Sequence, residues 1–229
     1  MEYLQNGFCL HIAPGTFPLS TDSIVLSDFV RLPKNATVLD LGSGCGTLGL
    51  LLCAKDPGCK VTGIELDENA HKAALQNIAQ NQLQERLNSI CADLRTVSDM
   101  VSAGSYSCCV SNPPYYSGGP ASKATPAARR DDNCTVKDLF KSASHALKFG
   151  GDFFLVHKPE RLAQLCSCAA EFGLEPKRLS LVRHDPEKPV SLILLQCRKG
   201  SQPGLRWEEI CLFHTDGTPT EYYRSLYHL

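Results

Sequence analysis

From Ala36 onward, short apolar runs typical of buried strands alternate with longer stretches typical of helices. The strand-like runs lie at 36–41, 60–66, 87–91, 105–111 and 151–157. Because these runs are apolar at successive positions, both faces of the strands must be buried, which favours a parallel sheet covered by helices. This alternation predicts an α/β fold with a doubly wound, Rossmann-like sheet.

The last two strand-like runs, 179–184 and 190–196, differ from the others in their connection. Only the segment 185–189 separates them, which is too short for a crossover helix and contains two prolines. We therefore expect these two strands to pair antiparallel at one edge of the sheet. The prediction is a seven-stranded sheet with an antiparallel last strand, the variation of the doubly wound plan that methyltransferases use.

Three regions follow from this pattern. Residues 1–35 are expected to form an N-terminal extension with a helix over 22–32, and residues 36–199 the main α/β domain. The polar tail, 200–229, is expected to add a strand and a helix packed on the same domain.

The bulk composition excludes several classes of protein. Lys and Arg number 23 against 24 Asp and Glu, so no global field attracts nucleic acid, and any RNA binding must come from local patches. The sequence contains neither a signal peptide nor an apolar run of about 20 residues, so a cytoplasmic protein without a membrane segment is expected. The 12 cysteines are scattered rather than paired as zinc knuckles, which predicts reduced thiols and no metal site.

A glycine-rich loop follows the first strand of the main domain, in the sequence Asp40-Leu-Gly-Ser-Gly-Cys-Gly46. Glycines let the backbone approach a ligand closely, and this loop falls at the carboxyl end of a strand, where open α/β sheets bind ligands. We therefore predict that Asp40, Gly42, Gly44 and Gly46 bind a cofactor. The glycine spacing also matches the dinucleotide fingerprint, so the loop alone does not separate NAD from S-adenosylmethionine.

Acidic residues end the next two strands and extend this predicted site. Glu65, with Leu66 beside it, is placed to accept hydrogen bonds from ribose hydroxyls. Asp93, with Leu94 beside it, is placed to accept a hydrogen bond from an adenine amino group. A helix N-cap is the alternative role for Asp93.

The segment Ser111-Asn112-Pro113-Pro114-Tyr115 follows the fourth strand and points to the chemistry. The prolines stiffen the turn and remove two N–H donors, so Pro113 presents a carbonyl acceptor. The Asn112 amide oxygen is a second acceptor, and Tyr115 supplies an aromatic face. Two acceptors and a stacking plane suit a planar NH₂ group, which predicts methylation of an exocyclic or amide nitrogen. A plain proline turn is the alternative.

The glycine loop and the NPPY sequence together resemble the methyltransferases that act on amino groups of nucleic-acid bases or of glutamine. More narrowly, segment 17–26 resembles the F-x-x-x-T-D-x-x-x-L sequence of the bacterial family that methylates adenine N6 beside the anticodon of valine tRNA. This resemblance implies S-adenosylmethionine as cofactor and tRNA as partner. It also implies that Thr21 and Asp22 lie near the cofactor or the pocket, and that 112–115 is catalytic. Capping of the following helix is the alternative role for Thr21.

The residues after the NPPY sequence are the predicted substrate side. They lack periodicity for about 20 residues, and loops of that kind are often functional. Tyr116, Lys123, Arg129 and Arg130 are predicted to bind the substrate, the basic ones through phosphates. A solvated loop is the alternative. Other acceptors, namely a protein glutamine or a guanine amino group, remain open, as do a non-catalytic RNA-binding role and a monomeric or homodimeric state.

Overall fold

A computed structural model of the chain describes residues 2–4, 7–14, 19–115 and 135–227. Its strands are β1 Glu2–Tyr3, β2 Cys9–Leu10, β3 Thr37–Leu41, β4 Lys60–Glu65, β5 Leu87–Cys91, β6 Tyr106–Ser111, β7 Leu147–His157, β8 Leu174–Arg183, β9 Val190–Lys199 and β10 Arg206–Cys211. Its helices are α1 Thr21–Phe29, α2 Thr47–Lys55, α3 Glu68–Gln80, α4 Val97–Met100, α5 Val136–Ala146, α6 Leu162–Glu171 and α7 Glu221–Tyr227.

The main sheet has the strand order β10-β8-β9-β7-β6-β3-β4-β5. Strands β3 to β7 run parallel, and the chain moves from β3 outward in both directions, first through β4 to β5 and later through β6 to β7. The order therefore reverses between β3 and β6. In open α/β sheets such a reversal opens a crevice at the carboxyl ends of the strands, where ligands bind.

The predicted fold class is confirmed, with one correction to the strand count. Strand β9 runs antiparallel to both β7 and β8, as the short 185–189 connection requires. The main sheet has eight strands in the described part of the chain rather than seven, because β10 of the tail pairs parallel with β8. Four of the six residues of β10 are exposed, so it lacks the apolar run that predicted the other strands.

Both faces of the sheet are buried, which explains why the strands are apolar at successive positions. In β7, Phe153 and Leu155 pack with α5 and α6 residues on one face, whereas Phe154 and Val156 pack with α1 and α2 residues on the other. All four side chains are fully buried. Because side chains alternate across a strand, a sheet between two helical layers requires this pattern.

Helix α1 leads from the N-terminal region to the main domain and positions part of the site. Ser20 is its N-cap, so Thr21 is the first helical residue rather than the cap. The helix ends at Phe29, three residues before the predicted end at 32, because Val30 already has extended backbone. The Lys55 ammonium donates to the carbonyls of Ser27, Asp28 and Val30 and so satisfies the end of the helix.

Candidate active site

The glycine loop connects β3 to α2 with the backbone in conformations that favour glycine. Gly42, Gly44 and Gly46 have φ angles of 75°, 55° and 82°. The N–H groups of Gly42 and Ser43 both donate to the Ile64 carbonyl, at 2.9 and 3.0 Å, which ties the loop to β4. A Cβ built on Gly42 or Gly44 would meet no atom of the described residues within 4 Å, so open space borders the loop. The predicted cofactor residues of the loop therefore surround room for a ligand.

Asp40 is the unusual group of this site. It is 1% exposed, and neither of its carboxylate oxygens has a hydrogen-bond partner among the described residues. Burial, and secondly the charge of Glu65, raise the pKa of Asp40 to about 8. Buried carboxylates without partners are costly, and native proteins retain them mainly where a ligand or ion completes the site. The two unpartnered oxygens of Asp40 therefore fit a cofactor that carries positive charge and hydrogen-bond donors.

Glu65 ends β4 and lies beside the loop, as predicted. Its carboxylate accepts from the Gly44 N–H at 2.7 Å and from the Asp67 N–H at 2.8 Å. Burial raises the pKa of Glu65, and these two backbone hydrogen bonds oppose the rise. Each oxygen keeps a further lone pair, so the carboxylate can still accept from ribose hydroxyls. The adjacent Leu66 is half exposed at the same edge of the sheet.

Asp93 follows β5 and caps the short 3₁₀ turn Leu94–Thr96, accepting from the Arg95 N–H at 2.9 Å. The Arg95 guanidinium also pairs with this carboxylate and, by hydrogen bonding, lowers the pKa of Asp93. The capping role therefore exists in this structure. Because a carboxylate accepts up to about four hydrogen bonds, the predicted contact with an adenine amino group is compatible with it.

The NPPY sequence lies next to the glycine loop because β6 and β3 are neighbours. The Ser111 hydroxyl donates to the Leu41 carbonyl at 2.7 Å, and Leu41 is the residue immediately before the loop. Asn112 and Pro113, which follow, therefore begin beside Gly42. Nothing in the described part of the chain donates to the Pro113 carbonyl, which leaves this acceptor available for a substrate.

The Asn112 amide is held in one orientation by groups on both sides. Its Nδ2 donates to Ser23 Oγ on α1 at 2.9 Å, and its Oδ1 accepts from the Tyr115 hydroxyl at 2.9 Å. Both hydroxyl partners can donate or accept, and in this arrangement they satisfy both ends of the amide with Oδ1 as the acceptor. Burial, and secondly the nearby Asp22 carboxylate, raise the pKa of Tyr115, which keeps its hydroxyl protonated.

The Tyr115 ring is surrounded by β7. Its edge meets the His157 ring with centroids 5.4 Å apart, and the Lys158 ammonium lies 5.1 Å from the Tyr115 centroid. The Lys158 N–H donates to His157 Nδ1, which identifies Nδ1 as an unprotonated acceptor. Burial, and secondly the charge of Arg161, lower the pKa of His157 to about 4. His157 is therefore neutral near pH 7. In the described residues, the Lys158 ammonium is the cation that contacts the Tyr115 ring.

The structure brings together most of the residues that the sequence singled out. Thr21 begins α1, and its hydroxyl lies 3.4 Å from the Tyr227 hydroxyl of α7 rather than within hydrogen-bond reach of the glycine loop. The predicted substrate residues, Tyr116, Lys123, Arg129 and Arg130, lie outside the described residues, as do residues 17 and 18 of segment 17–26.

Two residues beside the motif had no signal in the sequence. Ser23 contacts Asn112 across 89 residues of chain, and Lys158, which follows β7, contacts the Tyr115 ring. A serine in an apolar helix and a lysine at a strand end are common in proteins, so their spacing alone indicates nothing.

Within the described ranges, no helix is long and apolar enough to cross a membrane. Those same ranges contain no group of three or more His, Cys, Asp or Glu side chains arranged to hold a metal ion.

Comparison with known proteins agrees with this site. The methyltransferase small domain family matches residues 20–166. A tRNA1(Val) (adenine(37)-N6)-methyltransferase of Bacteroides fragilis is 30% identical over 180 residues, which cover 77% of this chain and 75% of the relative. The enzyme of the same name from Photobacterium profundum is 28% identical over 203 residues, covering 87% of this chain and 85% of the relative.

Solved structures show the same fold at low identity. A predicted O-methyltransferase from Agrobacterium tumefaciens superposes with a TM-score of 0.76 at 18% identity, covering 91% of this chain and 96% of the other. A precorrin-6y C5,15-methyltransferase from Geobacter metallireducens gives a TM-score of 0.59 at 12% identity, covering 83% and 95%.

These matches confirm the predicted methyltransferase class, and with it S-adenosylmethionine as the cofactor. They also confirm the narrower resemblance that segment 17–26 and the NPPY sequence indicated. The chain belongs to the methyltransferase small domain family and, within it, to the family of tRNA1(Val) (adenine(37)-N6)-methyltransferases.

Proposed function

We propose that this protein transfers a methyl group from S-adenosylmethionine to the exocyclic N6 amino group of an adenine in the anticodon loop of valine tRNA. The observation that carries the proposal is the Asn112 amide, held by Ser23 and Tyr115 with its oxygen as acceptor beside the glycine loop. The names of the relatives support adenine N6 and valine tRNA as the acceptor.

Each cofactor residue contacts a different part of S-adenosylmethionine, according to its position along the edge of the sheet. S-adenosylmethionine, when bound, supplies a methyl group on a positively charged sulfur. Asp40, which has no partner of its own, meets the cationic or donor groups of the cofactor next to the glycine loop. Glu65 accepts from ribose hydroxyls, and Asp93 from the adenine amino group, with Leu66 and Leu94 covering the ring. Thr21 is proposed at the margin of the same site.

The NPPY sequence makes the acceptor nitrogen reactive. The lone pair of an adenine NH₂ group is delocalised into the ring, so this nitrogen is a poor nucleophile. Asn112 Oδ1, through its second lone pair, and the Pro113 carbonyl each accept a hydrogen bond from one N–H of the adenine amino group. These two hydrogen bonds favour a pyramidal geometry at that nitrogen. Pro114 fixes the turn that directs both acceptors to one point. Holding the two reactants in this orientation supplies much of the rate acceleration.

Positive charge develops on the acceptor nitrogen during transfer, and the face of the Tyr115 ring stabilises it. The Lys158 ammonium, 5.1 Å from the centroid of that ring, opposes this charge when it is unpaired. A phosphate of the substrate that binds Lys158 removes the opposition, so RNA binding and the chemical step favour each other at this residue. No protein base is required, because the methylated nitrogen is strongly acidic. His157, whose pKa is lowered to about 4 and whose Nδ1 is already engaged, is a poor base.

The substrate base leaves its stack to reach this site, as in other enzymes that modify a base. Tyr116 extends the stacking surface of Tyr115, whereas Lys123, Arg129 and Arg130 contact phosphates of the anticodon stem or loop. These four residues remain proposals from the sequence.

The test is incubation of the protein with radiolabelled S-adenosylmethionine and unmodified total tRNA, followed by digestion of the RNA to nucleosides. Label in N6-methyladenosine is the expected result, and the Asn112→Ala variant should give none. If the protein binds S-adenosylhomocysteine but leaves RNA unlabelled, a protein glutamine becomes the preferred acceptor. Label in methylguanosine would instead identify guanine as the methylated base.

A further inference from the structure

The segment 9–13, which begins with β2, lies along α3 and is attached to it by two asparagine side chains. Asn81 accepts from the Cys9 N–H and donates to the Cys9 carbonyl, both at 2.7 Å. Asn77 accepts from the His11 N–H at 2.6 Å and donates to the His11 carbonyl at 2.9 Å. The two amides thus pair with the backbone of the segment as a neighbouring strand would. We call residues 9–13 the N-terminal strap.

Asn77 also reaches the cofactor loop. Its Nδ2 donates a second hydrogen bond to the Cys45 carbonyl at 2.9 Å. Cys45 lies between Gly44 and Gly46, whose φ angles of 55° and 82° make this the most adaptable part of the loop. Asn77 is 0% exposed and its bond to the Cys45 carbonyl is buried, so solvent does not reach this bond to replace it.

Apolar packing joins the same two segments. Ala13 of the strap and Cys45 of the loop form a small buried cluster with Ala70 and Ala73 of α3. The side chain on the other side of the loop is Glu65, which accepts from the Gly44 N–H. Besides the backbone bonds of Gly42 and Ser43 to Ile64, the loop is thus contacted by the side chains of Glu65 on β4 and Asn77 on α3. Of these two side chains, Asn77 is the one that also bonds the strap.

We propose that Asn77 is a positioning residue that couples the N-terminal strap to the glycine loop and thereby sets the affinity for S-adenosylmethionine. A carbonyl held by Asn77 keeps the peptide between Cys45 and Gly46 from rotating. Without that bond the two flanking glycines allow the Cys45 carbonyl to turn, which would change the shape and polarity of the loop that would hold the cofactor. The inference rests on the proposed cofactor role of this loop.

Asn81 provides a matched control, because it holds the same strap without touching the loop. It makes three hydrogen bonds in this region, to the two backbone groups of Cys9 and to the Asn77 carbonyl. Asn81→Ala loosens the strap and lowers the melting temperature, but it leaves the bond from Asn77 to Cys45 in place. A merely structural role for Asn77 predicts the same behaviour for Asn77→Ala.

The experiment measures, for wild type and both variants, the Kd for S-adenosylhomocysteine by calorimetry, and KM for S-adenosylmethionine and kcat with RNA. Asn77→Ala should raise Kd and KM about tenfold, as expected when one buried hydrogen bond to the loop is lost, and leave kcat at saturating cofactor within about twofold. Asn81→Ala, which loosens the strap but keeps the bond from Asn77 to Cys45, should raise Kd by a smaller factor of about two to three. Equal changes of Kd in the two variants, or an unchanged Kd in Asn77→Ala, would overturn the proposal.

A second measurement needs no variant and covers the case in which Asn77→Ala does not fold. Coupling is reciprocal, so a strap that strengthens cofactor binding must itself be strengthened by the cofactor. Adding S-adenosylhomocysteine to the wild-type protein should slow hydrogen exchange of the His11 amide, which donates to Asn77, by about tenfold. Unchanged exchange at His11 would refute the coupling. Failure of the wild type to bind S-adenosylhomocysteine at all would instead refute the cofactor role of the loop.

Discussion

Asp40→Asn is the substitution that most directly tests the cofactor site, because it should stabilise the cofactor-free protein while weakening cofactor binding. The folded-state pKa of Asp40 is about 8, above its ordinary value of 3.8. Between these two pH values the carboxyl is ionised in the unfolded chain and protonated in the folded protein. Stability is therefore lost as the pH rises from about 4 to about 8.

The magnitude follows from the two pKa values. At pH 7 the cost of keeping Asp40 protonated is roughly 4 kcal/mol, since each pKa unit is worth about 1.4 kcal/mol. Asparagine removes this cost but leaves a buried amide without partners, which costs about 1–3 kcal/mol. The expected net gain is about 2 kcal/mol, which in a chain of 229 residues raises the melting temperature by about 4–8 °C.

The assay is urea denaturation of wild type and Asp40→Asn at pH 5, 6 and 7, with calorimetric titration of S-adenosylhomocysteine at each pH. The variant's advantage in free energy of unfolding should grow by about 1.4 kcal/mol per pH unit over this range. Its Kd should be higher than that of the wild type at every pH. A difference in stability that does not change with pH would refute the titration argument, and an unchanged Kd would refute the cofactor role of Asp40.

Four further predictions concern the motif, its support, the RNA and the fold. Asn112→Ala should lower turnover at least about a hundredfold with Kd for S-adenosylhomocysteine within about twofold, as seen when one transition-state contact is removed. Ser23→Ala should lower kcat about fivefold without raising KM for the cofactor, because the amide keeps only one of its two hydrogen bonds. Replacing Arg129 and Arg130 by alanine should weaken tRNA binding and lower the slope of log Kd against log salt by about 1–2. Lys55→Met should lower the free energy of unfolding by about 2 kcal/mol in urea denaturation, since three carbonyls at the end of α1 lose their donor.

Each of these has an outcome that contradicts it. Normal turnover of Asn112→Ala would show that the motif takes no part in methyl transfer. A Ser23→Ala variant with unchanged kcat would show that Tyr115 alone orients the Asn112 amide. For the arginine pair, the control is alanine at Lys60 and Lys148, exposed residues near the amino-terminal ends of β4 and β7. If both pairs change the salt slope equally, the RNA contact is not local to 129–130. Wild-type stability of Lys55→Met would mean that water replaces the lysine.

The parts of the site that the sequence predicted are those where the residue type alone constrains the backbone. The glycines of the 42–46 loop and the prolines at 113 and 114 impose local conformations, and their positions at strand ends follow from the alternation of strands and helices. The fold class followed from the same alternation. Glu65 was predicted beside the loop because carboxyl ends of neighbouring parallel strands meet at one edge of a sheet.

The parts that the sequence did not predict depend on which elements pack together. Ser23 bonds Asn112, and Asn77 bonds the Cys45 carbonyl, only because α1 and α3 lie against the loop and motif, and nothing local encodes those contacts. For Asp93 the sequence could not distinguish two roles, because helix capping and cofactor binding both use a carboxylate at this position. Strand β10 was absent from the predicted sheet because an exposed edge strand does not need alternating apolar residues.

The contacts of α1 with α7 bear on how the enzyme is made. The Tyr222 hydroxyl donates to the Asp28 carboxylate, a partner 194 positions away, and the hydroxyls of Tyr227 and Thr21 meet across 206 positions. Because translation proceeds from the amino terminus, α1 is synthesised 194 to 206 residues before the tyrosines that contact it. The sheet can assemble earlier, yet the helix that carries Ser23 acquires its last supports only afterwards.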